Sequence, residues 1–563
     1  MDLFDVDPNE ILGEVTKPTP NSNYEKLLNF LINNEYETLY KRYAAVAPDE
    51  NWYKEIYLSY PNANLSWELT DTLGQVFCPE TRCQGFILHY LYALITMEGN
   101  TLAWVSTLYA NLMDKLKYKG IRFTQEEVSE ALLDLEKRYL VKRVGNNIWH
   151  QSLYDAEKTI VHALKDIGTN PKDPLNDSEK FRGHLFDDQF KILDAVRTHR
   201  LIVVDGLPGV GKSTSTGQIV KYLEDNGIAV WLLAPTGLAA KTLGEKCHRS
   251  ARTLHSFVFM KNEIVGETAF IIDEFSMVET RIFAQFLRKI DSCNATIILV
   301  GDTGQLPSIG PGLLLREFIE LKDELNFSYH KLSEIVRQAK DSEIIFNAHQ
   351  IRKGSGQLTN KGQFQFFERN EREASEFLIK FAVKLHDTQK NFIVLSPTHK
   401  GICGVSNLNS QLREIFNPPD LGKQEAQRGK WRVGDKVLIK QNFYDIGLVN
   451  GDIGYIESIL DEHLFIFKTL DLRSVKIDRD VISTLRHAYA LTIHSAQGQE
   501  FDTVIMPFVN NFTIQLQRKL FYTAVTRAKK QVIIFGNREA LLKAILTDKE
   551  SHRKTGIKAL MEA

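Results

Sequence analysis

The chain is 563 residues long, 43% hydrophobic and 25% charged, with a formal net charge of −2. That length calls for about three to five structural units, each able to bury a core, and the composition excludes disordered and fibrous classes. The near-neutral balance excludes a uniformly basic surface, so any nucleic-acid site has to be a local groove. Five scattered cysteines, Cys78, Cys83, Cys247, Cys293 and Cys403, argue against a disulfide framework and for a reducing compartment. The Cys78/Cys83 pair has no second pair at finger spacing, so no structural metal is expected. The acidic start MDLFDVDPNE lacks a secretory pattern and no apolar run reaches membrane-spanning length. A cytoplasmic protein with no membrane partner is expected.

Residues 1–84 carry no interpretable pattern. Residues 85–166 read as three helices and a short hairpin, a mostly helical, winged-helix-like region. Thr124 with Glu127 forms a capping box, and Val128, Ala131, Leu132, Leu135 and Tyr139 recur on one helical face. Val141–Val144 and Ile148–His150 then flank Gly145-Asn146-Asn147, which tolerates positive φ. Such a module serves packing, protein contact or nucleic-acid contact equally well. Residues 167–180, IGTNPKDPLNDSEK, have the prolines, asparagines and charges of a linker.

From residue 201 the grammar is that of parallel sheets. The runs LIVVD, VWLLAP, AFIIDE, TIILVGD, NFIVLSP, TVIMP and QVIIFG alternate with helical stretches and end in polar or glycine-rich residues. Open α/β sheets place their ligands at such ends. Between residues 430 and 480 closely spaced strands take over, with Asn450-Gly451 as a hairpin signal, predicting a small β-barrel insertion.

The run Leu201–Asp205 leads into Gly206-Leu207-Pro208-Gly209-Val210-Gly211-Lys212-Ser213, followed by Thr214. This is a full phosphate-binding loop in its strand-to-helix setting. Its glycines let backbone N–H groups converge on phosphate oxygens, Lys212 neutralises the β and γ phosphates of ATP, and Ser213 offers a hydroxyl to Mg²⁺. A second strand ends in Asp273-Glu274, adjacent carboxylates of which one holds the metal and the other polarises water. A third delivers Gln305, an uncharged amide able to sense the γ-phosphate. His255, Phe257 and Phe259 are candidates for stacking on bases, and Ser256–Thr268 is a candidate pin-like hairpin.

These motifs, in their order, resemble superfamily 1 helicases, most closely the RecD-like branch that also includes the phage Dda helicases. The resemblance runs from Leu185-Phe186-Asp187-Asp188-Gln189, which implies Gln189 as an adenine reader, to Tyr522-Thr523-Ala524-Val525-Thr526-Arg527. Ala234-Pro235-Thr236-Gly237 and Thr253-Leu254-His255 imply contacts to a single strand by Pro235, Thr236, Thr253 and His255. Leu332–Gln338 implies that Arg337 reaches the γ-phosphate, and Val394–Gly401, with Thr398, is similar to the start of the second motor domain. Tyr489–Glu500 implies Gly498 and Glu500 near nucleotide and Thr492 and His494 near the strand. It departs from the family at Ser495, where a lysine is common. Arg527 falls at the second arginine finger.

The resemblance implies two RecA-like motor domains of the P-loop NTPase class, at residues 181–340 and at 341–404 with 485–563, and a barrel insertion at 405–484. It also implies ATP-driven 5′-to-3′ translocation and strand separation on single-stranded DNA and its junctions with duplex, with Mg²⁺ as cofactor. Replication or recombination proteins are candidate partners of the N-terminal region. The alternatives are a translocase that remodels protein–DNA complexes and a motor subunit of a larger assembly.

Overall fold

The computed structural model describes residues 79–562, with Leu58, Asp71 and Gln75 ahead of them. Residues 116–122, 170–171, 184, 208, 262–263, 265, 292–293, 326, 333–341, 389–390, 421 and 549–551 lie outside the described residues. The chain divides into two compact units. One takes residues up to Lys158 with Gly310–Gly312 and Lys554–Ala559, and the other takes Thr159–Ile309, Leu313–Arg553 and Leu560–Ala563.

In the first unit, helices Arg82–Ala93, Val105–Ala110 and Gln125–Lys137 accompany an antiparallel sheet. Its strands are β1 (Leu102–Trp104), β2 (Val141–Val144) and β3 (Asn147–His150), in the order β1-β3-β2. Thr124 and Glu127 cap the third helix reciprocally, and Val128, Ala131, Leu132 and Leu135 are buried beneath it. Tyr139 does not share that face. The helix ends at Lys137, and Tyr139 adopts φ 55° with its ring exposed. The turn between β2 and β3 is Gly145-Asn146, and Asn147 already belongs to β3. Trp149 Nε1 donates to Glu157 Oε2 at 2.7 Å and Gly556 N donates to Oε1 at 3.0 Å. Burial pushes this carboxyl up.

In the second unit, the segment expected as a linker is bound to the body of the fold. Lys172 Nζ donates to Val196 O, Tyr222 OH to Asn176 O and Ser178 Oγ to Asp194 Oδ1, and Phe181 packs edge-on against Tyr222. The apolar runs then form β4 (Leu201–Gly206), β5 (Ala229–Ala234), β7 (Glu267–Ile272) and β8 (Asn294–Gly301), joined by two strands outside those runs, β6 (Ala251–Thr253) and β9 (Ser328–Leu332). They build one all-parallel sheet in the order β6-β5-β7-β8-β4-β9. The described residues of 256–268, where the pin was expected, do not pair with one another as strands. Ser256 to Val258 finish a helix that starts at Leu254, and Glu267 opens β7.

The chain continues through β10 (Phe364–Glu368) and β11 (Phe392–Ser396), then leaves for a small antiparallel body. That body holds β12 (Glu425–Ala426), β13 (Trp431–Arg432), β14 (Lys436–Leu438), β15 (Ile453–Asp461), β16 (Leu464–Thr469), β17 (Ser474–Ile477) and β18 (Arg486–His487). Returning, it adds β19 (Ala490–Thr492), β20 (Phe501–Phe508) and β21 (Ala528–Gly536) to make a second parallel sheet, β10-β21-β20-β11-β19. The insertion is narrower at its start than the expected 405–484, and it ends slightly later. Val405–Phe416 is a helix whose Leu408 and Leu412 are buried in the second sheet's core. Asn450-Gly451 closes a longer loop, since Ile439 already pairs with Gly451 and Asp452, and within residues 440–450 Phe443 bridges to the buried Leu448. No helix among the described residues is long and apolar enough to cross a membrane.

Candidate functional site

β4 hands the chain to the helix Lys212–Asp225 through a loop in which Gly209 (φ 75°) and Gly211 (φ 76°) are left-handed, a conformation that glycine adopts at no steric cost. Lys212 Nζ donates to Gly206 O at 2.8 Å, so the ammonium lies over the loop it belongs to. Pro208 and the Ser213 side chain lie outside what the structure describes. β7 ends beside this loop. Asp273 N donates to Leu233 O at 2.9 Å, and Asp273 Oδ1 accepts from Glu274 N at 2.8 Å. Glu274 takes φ 51°, a strain on the order of 1–3 kcal/mol of the kind that clusters at functional sites.

These groups share a cavity of about 510 Å³ with residues of the second sheet. Lys212, Thr214, Asp273, Glu274 and Gln305 line it from the first sheet, and Gly498, Glu500 and Arg527 from the second. Burial pushes the Glu274 carboxyl above its ordinary range; Asp273 and Asp302 add to this while Lys212 and Arg527 oppose it. Burial would also raise Glu500, but Lys246 and Lys529 outweigh it and hold that carboxyl below its ordinary value. The buried Arg527 guanidinium is tethered by Thr523 O at 3.1 Å and Gln499 O at 3.3 Å.

Two acceptor oxygens, Glu274 Oε2 and Gln305 Oε1, are buried without a donor from the protein. Unsatisfied acceptors facing a lysine and an arginine across one cavity suit a phosphate chain with a hydrated divalent ion. Gln189 does not line this cavity. Its amide is engaged locally, Nε2 donating to Val210 O at 2.7 Å and Oε1 accepting from Phe186 N at 3.0 Å, so it braces the phosphate loop. Arg337 lies outside the described residues.

The residues expected on the strand face fall at the carboxyl ends of both sheets. Pro235 follows β5, and Thr236 caps the next helix through Ala239 N at 3.2 Å. Thr253 caps the helix Leu254–Val258 through Ser256 N and is bonded to Tyr444 OH at 2.7 Å, while His255 is exposed. Thr398 accepts from Lys400 N, Thr492 Oγ1 is bonded to Ser495 Oγ at 2.8 Å, and His494 is exposed. Lys440, unnoticed in the sequence, donates from the barrel to Ser495 Oγ at 3.1 Å. The barrel therefore brings a cation to the position where the family often has a lysine.

Phe257 is not a strand contact. It is fully buried, with its ring between those of Trp231, Phe270 and Phe286 at 5.1, 5.5 and 5.8 Å. Phe259, by contrast, is 72% exposed. Phe257→Ala is therefore expected to cost about 3–5 kcal/mol in denaturant unfolding. Phe259→Ala should stay within about 0.5 kcal/mol of wild type and instead weaken binding of an oligonucleotide.

Three family models match successive stretches of the chain. An AAA domain covers residues 184–372, the SH3 domain of ATP-dependent RecD-like DNA helicases covers 408–470, and a UvrD-like helicase C-terminal domain covers 487–535. The chain belongs to the RecD-like branch of superfamily 1. It is 31% identical over 399 residues to the ATP-dependent RecD2 DNA helicase of Deinococcus radiodurans, with 68% of this chain and 54% of that protein aligned. It is 24% identical over 453 residues to the RecBCD enzyme subunit RecD of Mycolicibacterium smegmatis, with 70% and 78% aligned. This RecD-like chain thus spans about half the length of the Deinococcus protein. A crystal structure of a Bacteroides Pif1 bound to ssDNA aligns with 63% of this chain and 93% of its own length, at 18% identity and a TM-score of 0.43.

Proposed function

We propose that the chain is an ATP-dependent DNA helicase moving 5′ to 3′ on single strands. The observation that carries this reading is the cavity walled by Lys212, Asp273, Glu274 and Gln305 on one side and Gly498, Glu500 and Arg527 on the other. A phosphate chain held by Lys212 and Arg527 would draw the two sheets together, and its loss would let them part. Ser213 and Asp273 would hold a divalent ion, which supplies charge neutralisation to the phosphates. Glu274, raised by burial, would accept a proton from the attacking water while Gln305 reports on the γ-phosphate.

The strand would run over Pro235, Thr236, His255, Thr398, Thr492 and His494, gripped by charge and hydrogen bonds with little sequence preference. Unwinding of a duplex bearing a 5′ tail, absent with a 3′ tail and lost in Lys212→Ala, is the expected result. A preference for the 3′ tail would sink the polarity. ATP hydrolysis on single strands with neither duplex opened would favour a translocase that remodels protein–DNA complexes or serves a larger assembly.

A further inference from the structure

The two sheets meet at a buried ionic cluster behind the cavity. Arg352 ends the helix Glu343–Arg352, whose Ile344, Ala348 and Ile351 pack in the second sheet's core. Its guanidinium reaches back to the first sheet. Nη2 donates to Asp205 Oδ2 at 2.9 Å and to Thr303 Oγ1 at 2.5 Å, and Nη1 lies 3.4 Å from Asp302 Oδ1. Asp205 immediately precedes Gly206 of the phosphate loop, and Asp302 stands three residues before Gln305. Asp302 Oδ2 also accepts from Tyr522 OH at 2.7 Å, on the helix that leads to Arg527. One residue on, Thr523 Oγ1 accepts from Leu306 N at 3.0 Å. At Gly304 a Cβ would come within 2.9 Å of Tyr522 Cε1 and 3.1 Å of Arg352 Cδ, so the close approach depends on glycine.

The energetics of this cluster differ from those at the cavity's rim. The side chains of Asp205, Asp302 and Arg352 are 4%, 0% and 20% exposed. Drawing Arg352 away would strand two buried carboxylates, a heavily penalised state. At the rim, Lys246 of the first sheet's helix and Glu500 of the second sit 4.0 Å apart, 42% and 44% exposed, a pair that separates at little cost. Motion between the sheets is cheap at the rim and costly at the cluster.

We infer that Arg352, with Asp205, Asp302 and Tyr522, is the pivot about which the two motor domains close. Arg352 is a positioning residue: it ties the strand ends that carry the phosphate loop and Gln305 to the helix that leads to Arg527. This rests on reading the cavity as the nucleotide site of a strand-driven motor, in which strand binding speeds hydrolysis by favouring closure.

The test compares wild type, Arg352→Ala, Arg352→Lys and Tyr522→Phe for kcat and KM of ATP hydrolysis, with and without oligo(dT), alongside thermal melting. In Arg352→Ala the strand-stimulated kcat should fall about tenfold, while the unstimulated kcat and oligo(dT) affinity stay within about twofold. Arg352→Lys should restore only part of the stimulation, because one ammonium cannot bridge both carboxylates as the fork does. If Arg352→Ala fails to fold, Tyr522→Phe, which deletes one hydroxyl, should show the same selective loss in milder form. Equal loss of both rates, or full stimulation in a variant that melts like wild type, would overturn the pivot alone. A wild type whose hydrolysis ignores oligo(dT) would sink the motor reading and the pivot with it.

Discussion

Replacing Lys212 by alanine is expected to lower kcat for ATP hydrolysis by roughly 10²–10³-fold, the usual cost of removing one preorganised charge from a site where charge develops. The ammonium sits at the cavity wall, where it donates to Gly206 O, and it makes no salt bridge among the described residues, so the fold does not depend on it for an ion pair there. The variant should melt close to wild type and still bind oligonucleotide. Arginine should not restore the rate, because its planar fork cannot sit where a point charge bends over the loop. Steady-state hydrolysis with saturating oligo(dT) checks this, and a Lys212→Ala rate within about tenfold of wild type would show that the cavity is not the hydrolytic site.

Glu274→Gln should have a comparable effect on rate and, unlike Lys212→Ala, should raise stability. As the proposed base, Glu274 would have to be ionised, and losing it should cost roughly 10²–10⁴-fold in kcat. Burial first, then Asp273, raise its pKa, so the acid limb of the wild-type pH–rate profile should lie above the ordinary glutamate value of 4.5. The sign for stability follows from the same shift. A carboxyl whose folded pKa is raised favours the fold when protonated, and that contribution is lost as pH rises through the folded pKa. At neutral pH, ionised Glu274 thus works against the nucleotide-free fold, and Glu274→Gln should melt higher than wild type, with the difference shrinking as pH falls. Melting scans at several pH values read it directly. A variant that melts lower at neutral pH would contradict the raised pKa.

The parts of this molecule that were legible in the sequence are those written in local pattern. The inner strands of both parallel sheets follow from β-rich runs that end in glycine or polar residues, while the edge strands β6, β9, β10 and β19 lie outside those runs, and the phosphate loop follows from eight consecutive residues. Asp273, Glu274 and Gln305 could be placed because each follows such a run. What stayed hidden depends on contacts between distant segments. No motif marked Arg352, and Tyr522 only opened the last one; folding alone brings both to Asp302. Lys440 and Tyr444 lie in a barrel loop whose reach to Ser495 and Thr253 no spacing announces. Phe257 fell on the core side because an aromatic after a strand-binding motif has the same local signature in either role. The helix Val405–Phe416 was credited to the barrel, although its apolar face belongs to the second sheet.

Leu306 belongs by chain order to the first sheet, yet it is buried among the residues of the second sheet's core. The halves of this chain that carry the two parallel sheets are therefore not interchangeable cassettes. A chimaera joined between them would have to carry Asp302–Leu306 together with Tyr522–Arg527 from a single parent, since one supplies the plug and the other the socket. A first half produced alone would present that leucine to water, and its solubility would depend on a partner surface that its own sequence does not encode.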